Sequence, residues 1–314
     1  MGRIGAHVSC TGGLPRAVER ALEIGAECLQ VFVGAPQNWA SPKIPDDEIG
    51  AFRAAMDAAS LHPLFVHAPY LINLASLRPE VRGASRRALV EQLGWADRIG
   101  ALGVVVHVGS GGDDAMEKAA SGLREVLSRH PGAAWLILEN DAGSGHRIGR
   151  TFAELGALIG ETGGDERVRV CLDTAHSLAA GYELRTPEGL ESTIDEIERE
   201  VGLSRLALIH ANDSKVDLGR NVDRHDNIGR GKIGLEAFAR ILTNPRFANL
   251  PCVLEVPGYD GEGPDAINVE ALRCLASGEI PVLPAETSPP PRRAGAKRST
   301  APRPSSPPGT ASSD

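Results

Sequence analysis

Cysteines, long hydrophobic runs and basic charge are all scarce in this chain of 314 residues. Its five cysteines form no Cys-x-x-Cys pair, so we expect small thiols rather than a disulfide framework or a thiolate metal site. No apolar run reaches the roughly 20 residues that span a bilayer, and the first ten residues lack the pattern of a signal peptide. We therefore expect a cytoplasmic protein that makes no contact with a membrane.

The formal net charge is −8 at pH 7. Basic residues usually supply most of the affinity for a phosphate backbone, so this balance argues at first against a nucleic-acid partner. Hydrophobic residues make up 42% of the chain, which suffices for the core of one large α/β domain or two ordinary ones.

The composition changes after residue 281. Residues 282–314 are rich in Pro, Ser, Ala and Gly, and a segment with so few apolar side chains cannot offset its ordering entropy. We predict one domain over residues 1–281 and a disordered tail over 282–314. Five basic and two acidic residues give the tail a net charge of +3, which leaves −11 on the domain. A solvated tether is the favoured interpretation, with weak attraction to nucleic acid as the alternative.

Short runs of apolar and β-branched residues alternate with helical stretches along the predicted domain. The runs are almost continuously apolar, as expected of parallel strands covered on both faces. Eight such units predict a (β/α)₈ TIM barrel, because the alternative, a doubly wound open sheet, has no need of eight. The predicted strands are 4–7, 28–33, 64–67, 104–107, 135–139, 168–173, 206–210 and 252–255.

Six successive predicted strands end in an imidazole or a carboxylate. In a barrel these ends converge on the face that carries active sites. Each side chain alone is more often a strand-end group bonded by a loop. Crowded at one mouth, however, they would repel one another or remain unpaired, and divalent cations are the simplest partner for all of them. The residues are His67, His107, Glu139, Asp173 (with His176 three residues on), His210 and Glu255.

A long loop over residues 219–233 adds Asp223 and His225, which brings the set to five histidines and four carboxylates. Imidazole with carboxylate and no thiolate suits zinc, with manganese or iron as substitutes. A tetrahedral zinc with one open position needs only three protein ligands, so nine ligands imply more than one ion and favour three. His7, at the end of the first strand, is a candidate for a supporting group behind these ligands.

Several long motifs resemble those of the endonuclease IV family of abasic-site nucleases. The similarity extends over the whole predicted domain. The motifs are GAHVSCTGGL (5–14), HAPYLINLAS (67–76), LEN followed by AGSG (138–145), CLDTAH (171–176), IHANDSK (209–215), DRHDNIGRG (223–231) and LEVPG (254–258).

This resemblance implies a xylose isomerase-like TIM barrel that binds three zinc ions and acts on double-stranded DNA as a monomer. It implies hydrolysis 5′ to an abasic site, leaving a 3′-hydroxyl and a 5′-deoxyribose phosphate. A hydroxide held between the first two ions at Glu139 would attack phosphorus, and the third ion would stabilise the departing oxygen. The implied ligands are His67, His107 and Glu139 for the first zinc; Glu139, Asp173, His210 and Glu255 for the second; and His176, Asp223 and His225 for the third.

Three divalent ions would also remove the argument that the negative net charge makes against a nucleic-acid partner. Their charge of +6 exceeds the −4 of the four carboxylates, so the barrel mouth would be locally positive. Selectivity would come from the deformability of the duplex at a missing base, where extruding a nucleotide costs least.

The resemblance further implies that Tyr70 and the segment before Trp39 enter the minor groove. Gln37 stands where the family usually has an arginine, and glutamine lacks the fixed charge and planar stacking surface of a guanidinium. We therefore expect weaker distortion of the DNA, or distortion shared with Asn38 and Tyr70. Further candidate phosphate contacts are Lys215, Arg224, Arg230 and Lys232.

Two other functions compete with this one. A sugar isomerase or epimerase of the xylose isomerase-like barrels would need one or two divalent metals. It would give no reason for His176, Asp223 and His225. A non-catalytic DNA-binding barrel would not need an open, water-activating metal cluster.

Overall fold

Eight parallel strands close into a barrel in the computed structural model, which describes residues 2–285. The first strand pairs with both the second and the last, so the predicted barrel is confirmed and the open sheet is wrong. The barrel strands are β1 (Ile4–Val8), β2 (Leu29–Val31), β3 (Leu64–His67), β4 (Gly103–Val106), β5 (Trp135–Glu139), β6 (Val168–Asp173), β7 (Leu206–His210) and β10 (Cys252–Leu254).

A small antiparallel hairpin of β8 (Asp213–Ser214) and β9 (His225–Asp226) rises from the loop after β7. Nine helices surround the barrel in the described part of the chain. They are α1 (Leu14–Glu23), α2 (Asp46–Ala58), α3 (Pro79–Ile99), α4 (Ala115–Arg129), α5 (Phe152–Glu161), α6 (Thr174–Ala180), α7 (Pro187–Glu200), α8 (Leu235–Thr243) and α9 (Ala266–Ala276).

Some strands are shorter than predicted at the end that carries the polar residues. His107 follows β4 by one residue and Glu255 follows β10 by one residue. At this rim the chain leaves the hydrogen-bonded ladder and turns toward a helix, so these polar residues lie just past the last paired residue.

A cluster of buried side chains fills the barrel interior beneath the rim where the polar residues stand. This cluster is separate from the larger core between the strands and the helices. Side chains alternate across a strand, so the residue two positions after an inward-facing one faces inward as well. Phe65 therefore places His67 directly above the apolar cluster, and Ile137 does the same for Glu139. The cluster comprises Cys28, Phe65, Val105, Ile137, Cys171, Ala207, Leu208 and Val253.

All five cysteines are free thiols, and Cys28, Cys171 and Cys252 are buried. Within residues 2–285 no helix combines the length and the apolar character needed to cross a lipid bilayer. Leu283 packs against the core. Residues 286–314, most of the predicted tail, lie outside the described residues, and the domain division stays a prediction.

Candidate metal centre

The first group of polar side chains is built around one oxygen of Glu139, which is completely buried. His67 Nε2 lies 3.3 Å from Glu139 Oε2, and His107 Nε2 lies 3.2 Å from the same oxygen. Ligands about 2.1 Å from a tetrahedral ion stand about 3.4 Å from one another, so this spacing fits a zinc-sized ion.

A second group surrounds the other oxygen of Glu139. His210 Nδ1 lies 3.0 Å from Glu139 Oε1, 3.3 Å from Glu255 Oε2 and 3.9 Å from Asp173 Oδ2. The ligand atoms of these four residues all lie within 4.8 Å of one another. Glu139 therefore presents one oxygen to each of two adjacent groups, which is the geometry of a bridging carboxylate.

The third group lies where the β8–β9 hairpin meets the barrel rim. Asp223 Oδ1 lies 3.4 Å from His176 Nε2 and 3.3 Å from His225 Nε2. Asp173 also reaches this group, because its Oδ2 lies 3.7 Å from His225 Nε2. Asp173 is thus within reach of both the second and the third group, whereas the resemblance assigned it to the second alone.

In four of the five candidate histidine ligands the outer ring nitrogen is held by an acceptor that is not a candidate ligand atom, whereas His107 Nδ1 makes no hydrogen bond within the described residues. The bonds run from His67 Nδ1 to Ala68 O (2.8 Å), from His176 Nδ1 to Asn140 O (3.0 Å), from His210 Nε2 to Gln30 Oε1 (2.9 Å) and from His225 Nδ1 to Glu255 O (3.2 Å). A ring that donates its N–H outward presents the lone pair of the other nitrogen inward, which is the arrangement that metal-binding histidines need.

One buried atom of this donor set has a place for a cation as its partner. His225 Nε2 is buried and makes no hydrogen bond within residues 2–285. A buried polar atom without a partner costs free energy, and a metal ion at this position would supply the partner. The His/carboxylate clusters at the rim are therefore able to bind metal ions.

Cys171 is the one thiol among these groups, within 4.8 Å of the ligand atoms of Glu139 and His210. Burial raises the pKa of its thiol to about 12, so it stays protonated at neutral pH. Because only the thiolate is a strong metal ligand, the chemistry of the site rests on imidazole and carboxylate.

Local sequence explains how Asp173 and His176 are fixed. Asp173 ends β6 and caps α6, and its Oδ1 accepts a hydrogen bond from the His176 backbone N–H at 2.7 Å. Aspartate is a favoured N-cap residue because its side chain satisfies an unpaired N–H of the first turn. Asn140 Oδ1 accepts a hydrogen bond from the Asp173 backbone N–H at 2.7 Å, so the strand-to-helix turn is held from two sides.

A buried carboxylate that the sequence analysis missed secures the hairpin. Asp213 accepts hydrogen bonds from backbone N–H groups in the returning chain. This bonding ties residues 229–234 to the rim, and the pairing of Ser214 with His225 in the hairpin places His225 beside it. The donors in the returning chain are Gly229, Gly231, Ile233 and Gly234, and the adjacent Ser214 N–H also donates to Asp213.

The electrostatics of the site follow from burial and from these neighbours. Burial alone would raise the pKa of the Glu139 carboxyl, but the rings of His107 and His210 hold it well below its ordinary value. Burial alone would likewise lower the pKa of His176, but the carboxylates of Asp173 and Asp223 raise it well above its ordinary value. Protons and metal ions therefore compete for the same nitrogen atoms.

The side chains predicted to contact DNA stand on two parts of the rim. Gln37 and Asn38 are exposed on the loop after β2, and Tyr70 is 64% exposed on the loop after β3. The two loops are joined by a hydrogen bond from the Tyr70 N–H to Pro36 O at 3.1 Å. The second part is the β8–β9 hairpin and the loop that follows it, which carry Lys215, Arg224, Arg230 and Lys232.

A cavity of about 910 Å³ opens above the groups. Its walls include Tyr70, His67, His107, His176, Asp223 and His225, so the side chains of the first and third groups face the same space. Arg230 differs from the other cations of its loop in being half-buried, with its guanidinium carbon 5.8 Å from the centre of the Tyr259 ring.

Sequence reasoning proposed the nine candidate ligands but missed residues that support them: Gln30, Asn140, Asp213 and Asn212, whose Nδ2 donates to Asp173 Oδ2 at 2.7 Å. Only Gln30 carried a usable signal, since it lies two positions after the inward-facing Cys28. His7, expected to be a supporting group, lies with its Nδ1 2.8 Å from Glu255 Oε1.

A closed barrel of eight parallel strands, with polar groups at the carboxyl ends of the strands, is a TIM barrel. A family model described as xylose isomerase-like TIM barrels matches residues 18–277. The probable endonuclease 4 of Trichlorobacter lovleyi is 38% identical over 277 residues, covering 87% of this chain and 99% of that protein. The crystal structure of endonuclease IV from Thermus thermophilus superposes with a TM-score of 0.79 at 34% identity, covering 88% of this chain and 99% of that one.

The chain belongs to the endonuclease IV family of enzymes. A D-tagatose 3-epimerase-like protein superposes with a TM-score of 0.66 over 88% of this chain and 97% of that one, but only 18% of its residues are identical. That similarity shows the shared barrel and no more.

When protein that has been stripped of metal by a chelator takes up zinc, it should release protons at pH 7. The pKa of His176 is raised, so its ring holds a proton at neutral pH that a metal ion must displace. Apparent zinc affinity should accordingly fall as the pH falls. Proton release measured in weak buffer with an indicator dye tests this.

His176→Ala should release about one proton fewer per chain, while His62→Ala, which alters an exposed histidine far from the rim, should release as many as the wild type. Zinc uptake without proton release would contradict the interpretation.

Proposed function

We propose that this protein is a zinc-dependent DNA endonuclease that cuts the backbone 5′ to abasic sites and leaves a 3′-hydroxyl and a 5′-deoxyribose phosphate. The observation that carries the proposal is the presence of three adjacent imidazole and carboxylate groups, linked by Glu139 and Asp173, at the mouth of an open cavity. Membership of the endonuclease IV family supports the same substrate class.

We propose three zinc ions per chain, with manganese or iron as possible substitutes. Imidazole and carboxylate donors at these spacings suit zinc, and each group offers at least three of them. His67, His107 and Glu139 would hold the first ion. Glu139 would also bind the second, together with Asp173, His210 and Glu255, and the third would be held by His176, Asp223 and His225.

Bound ions would supply Lewis-acid stabilisation of the phosphate oxygens and a nucleophile at neutral pH. The protein's own residues would do the rest. Glu139, ionised and fully buried, would keep two ions at a fixed separation. Tyr70, Gln37 and Asn38 would occupy the groove beside the missing base.

The proposed phosphate contacts stand on the other part of the rim. Lys215, Arg224 and Lys232 are exposed and would meet the backbone without reading its sequence. Arg230, half-buried against Tyr259, is the most constrained of the four cations and would make the best-positioned contact.

The nine candidate ligands all come from one chain, so the site is complete without a partner subunit, and we propose that the enzyme works as a monomer. A substrate of damaged DNA supports a cytoplasmic location. The proposed division into a domain over 1–281 and a tail over 282–314 rests on composition.

The central test is incision of a duplex that carries a tetrahydrofuran abasic analogue. We expect one cut on the 5′ side, loss of cutting on chelation and recovery with zinc. Glu139→Gln should lower kcat by at least about 100-fold, since even residues behind metal ligands are worth 10- to 100-fold. Glu262→Gln, a matched change at an exposed glutamate, should leave kcat unchanged. Intact substrate at high enzyme concentration with zinc restored would refute the proposal.

Metal content separates this proposal from the sugar isomerase or epimerase. We expect close to three metal ions per chain in purified protein, and a loss of about one in His225→Ala, because that substitution removes a ligand of the third group only. Elemental analysis of both proteins checks this. A single ion per wild-type chain would favour the isomerase.

Gln37→Arg should tighten binding to abasic DNA by about fivefold. A hydrogen bond from a charged donor exceeds a neutral one by about 1 kcal/mol, and the affinity should also fall more steeply with salt. Fluorescence anisotropy at several salt concentrations measures both effects. Gln37→Lys adds charge without the planar guanidinium, so it should reproduce the salt effect but less of the affinity. Unchanged affinity in Gln37→Arg would show that the position does not contact DNA.

A further inference from the structure

Strands β1 and β2 contribute no candidate metal ligand, yet each sends a polar side chain into the ring of ligands. Gln30 of β2 is fully buried, two residues after Cys28 of the apolar cluster below. His7 of β1 lies beside it, with its Nδ1 3.1 Å from Gln30 Nε2. A buried amide is costly unless its polar atoms are paired, so the partners of Gln30 indicate what it does.

Both ends of the Gln30 amide contact the second group. The Nε2–H of His210 donates to Gln30 Oε1 at 2.9 Å, and Gln30 Nε2 donates to Glu255 Oε1 at 2.7 Å. Each bond is made to the atom that faces away from the group. The other atoms, His210 Nδ1 and Glu255 Oε2, lie 3.3 Å apart and face inward.

We propose that Gln30 is a positioning residue for the second metal ion, a role that rests on the metal centre proposed above. By accepting the Nε2–H of His210, it fixes the tautomer that leaves the Nδ1 lone pair free for the ion. By donating to one oxygen of Glu255, it turns the other oxygen toward the same ion. One rigid amide thus sets the mutual orientation of two ligands on adjacent strands β7 and β10.

The chemistry of this position favours glutamine over other polar residues. One neighbour offers an N–H and the other an oxygen, so the linking group must accept at one atom and donate at another. A carboxylate in place of the amide would face the Glu255 carboxylate at 2.7 Å and repel it. Methionine has similar length but neither the strong acceptor nor the donor, so it isolates the contribution of the hydrogen bonds.

Gln30→Met tests the proposal through metal affinity. Metal-free protein is titrated with zinc in competition with a chromophoric chelator. The titration gives a separate dissociation constant for each bound zinc ion. We expect one constant to rise about 10- to 100-fold, which is the usual cost of losing a group behind a metal ligand, and the others to stay near the wild-type values. Cobalt(II) in place of zinc should show a changed absorption band for one ion only.

Gln92→Met is the matched control, because Gln92 is a buried glutamine on α3 that contacts none of the nine candidate ligands. It should leave every constant unchanged. The melting temperatures of the metal-free variants show whether either substitution destabilises the fold itself. Should Gln30→Met fail to fold, Gln30→Asn gives the same comparison, since its amide is one methylene too short to reach both partners.

The outcomes separate the two proposals. Three zinc ions in wild-type protein with all constants unchanged in the Gln30 variant would overturn the positioning role and leave the metal centre standing. An equal weakening of every constant, together with a lower melting temperature of the chelated protein, would also overturn it, because Gln30 would then act only through packing. Wild-type protein that bound no second ion would overturn the metal centre, and with it this role.

Discussion

The structure is organised around one buried charge. Glu139 is completely excluded from solvent, yet the surrounding imidazoles hold the pKa of its carboxyl well below the ordinary value, so it stays ionised. An isolated carboxylate in such a place would cost many kcal/mol, and partners on both oxygens offset that cost. The first two groups meet at Glu139 because each needs one of its oxygens. The positions of His67, His107 and His210 follow from that requirement.

The barrel meets the requirement through the two-residue period of its strands. An apolar side chain faces the barrel interior two residues before each candidate ligand at a strand end. The apolar cluster in the lower barrel therefore places the ligands together in the layer above it. Val105 precedes His107 in this way, and Leu208 precedes His210. Stability and function therefore occupy successive layers of the same strands. A change in strand register would turn the ligands away together with the core.

This regularity explains how far the sequence alone could lead. Apolar runs that end in His, Asp or Glu gave both the barrel and the residues that converge on its rim, because strand period and barrel closure are local rules repeated eight times. The roles of Asn140 and Asp213 depend instead on hydrogen bonds between distant segments, which no local pattern encodes. Gln30 is intermediate: its inward direction followed from the period, but its two partners come from β7 and β10, far along the chain. The assignment of Gln37, Tyr70 and the basic loop residues to DNA remains a matter of resemblance, since exposure alone does not distinguish a phosphate contact from a solvated side chain.

In the proposed endonuclease, the third group is the one that a sugar epimerase would not need, and part of it comes from the short segment between β7 and α8. The first two groups draw on residues at or next to the ends of barrel strands. The third draws two of its side chains, Asp223 and His225, from that segment, which stays in place because Asp213 bonds the returning backbone. Those backbone bonds hold the chain after β9 against the rim, beside the segment in which Asp223 Oδ1 lies 3.4 Å from His176 Nε2. In the proposed endonuclease, a phosphodiester needs charge stabilisation at both the attacking and the leaving oxygen, and an ion in the third group would supply the second of these. The chain next to that group is therefore held by a buried aspartate that is not among the nine candidate ligands.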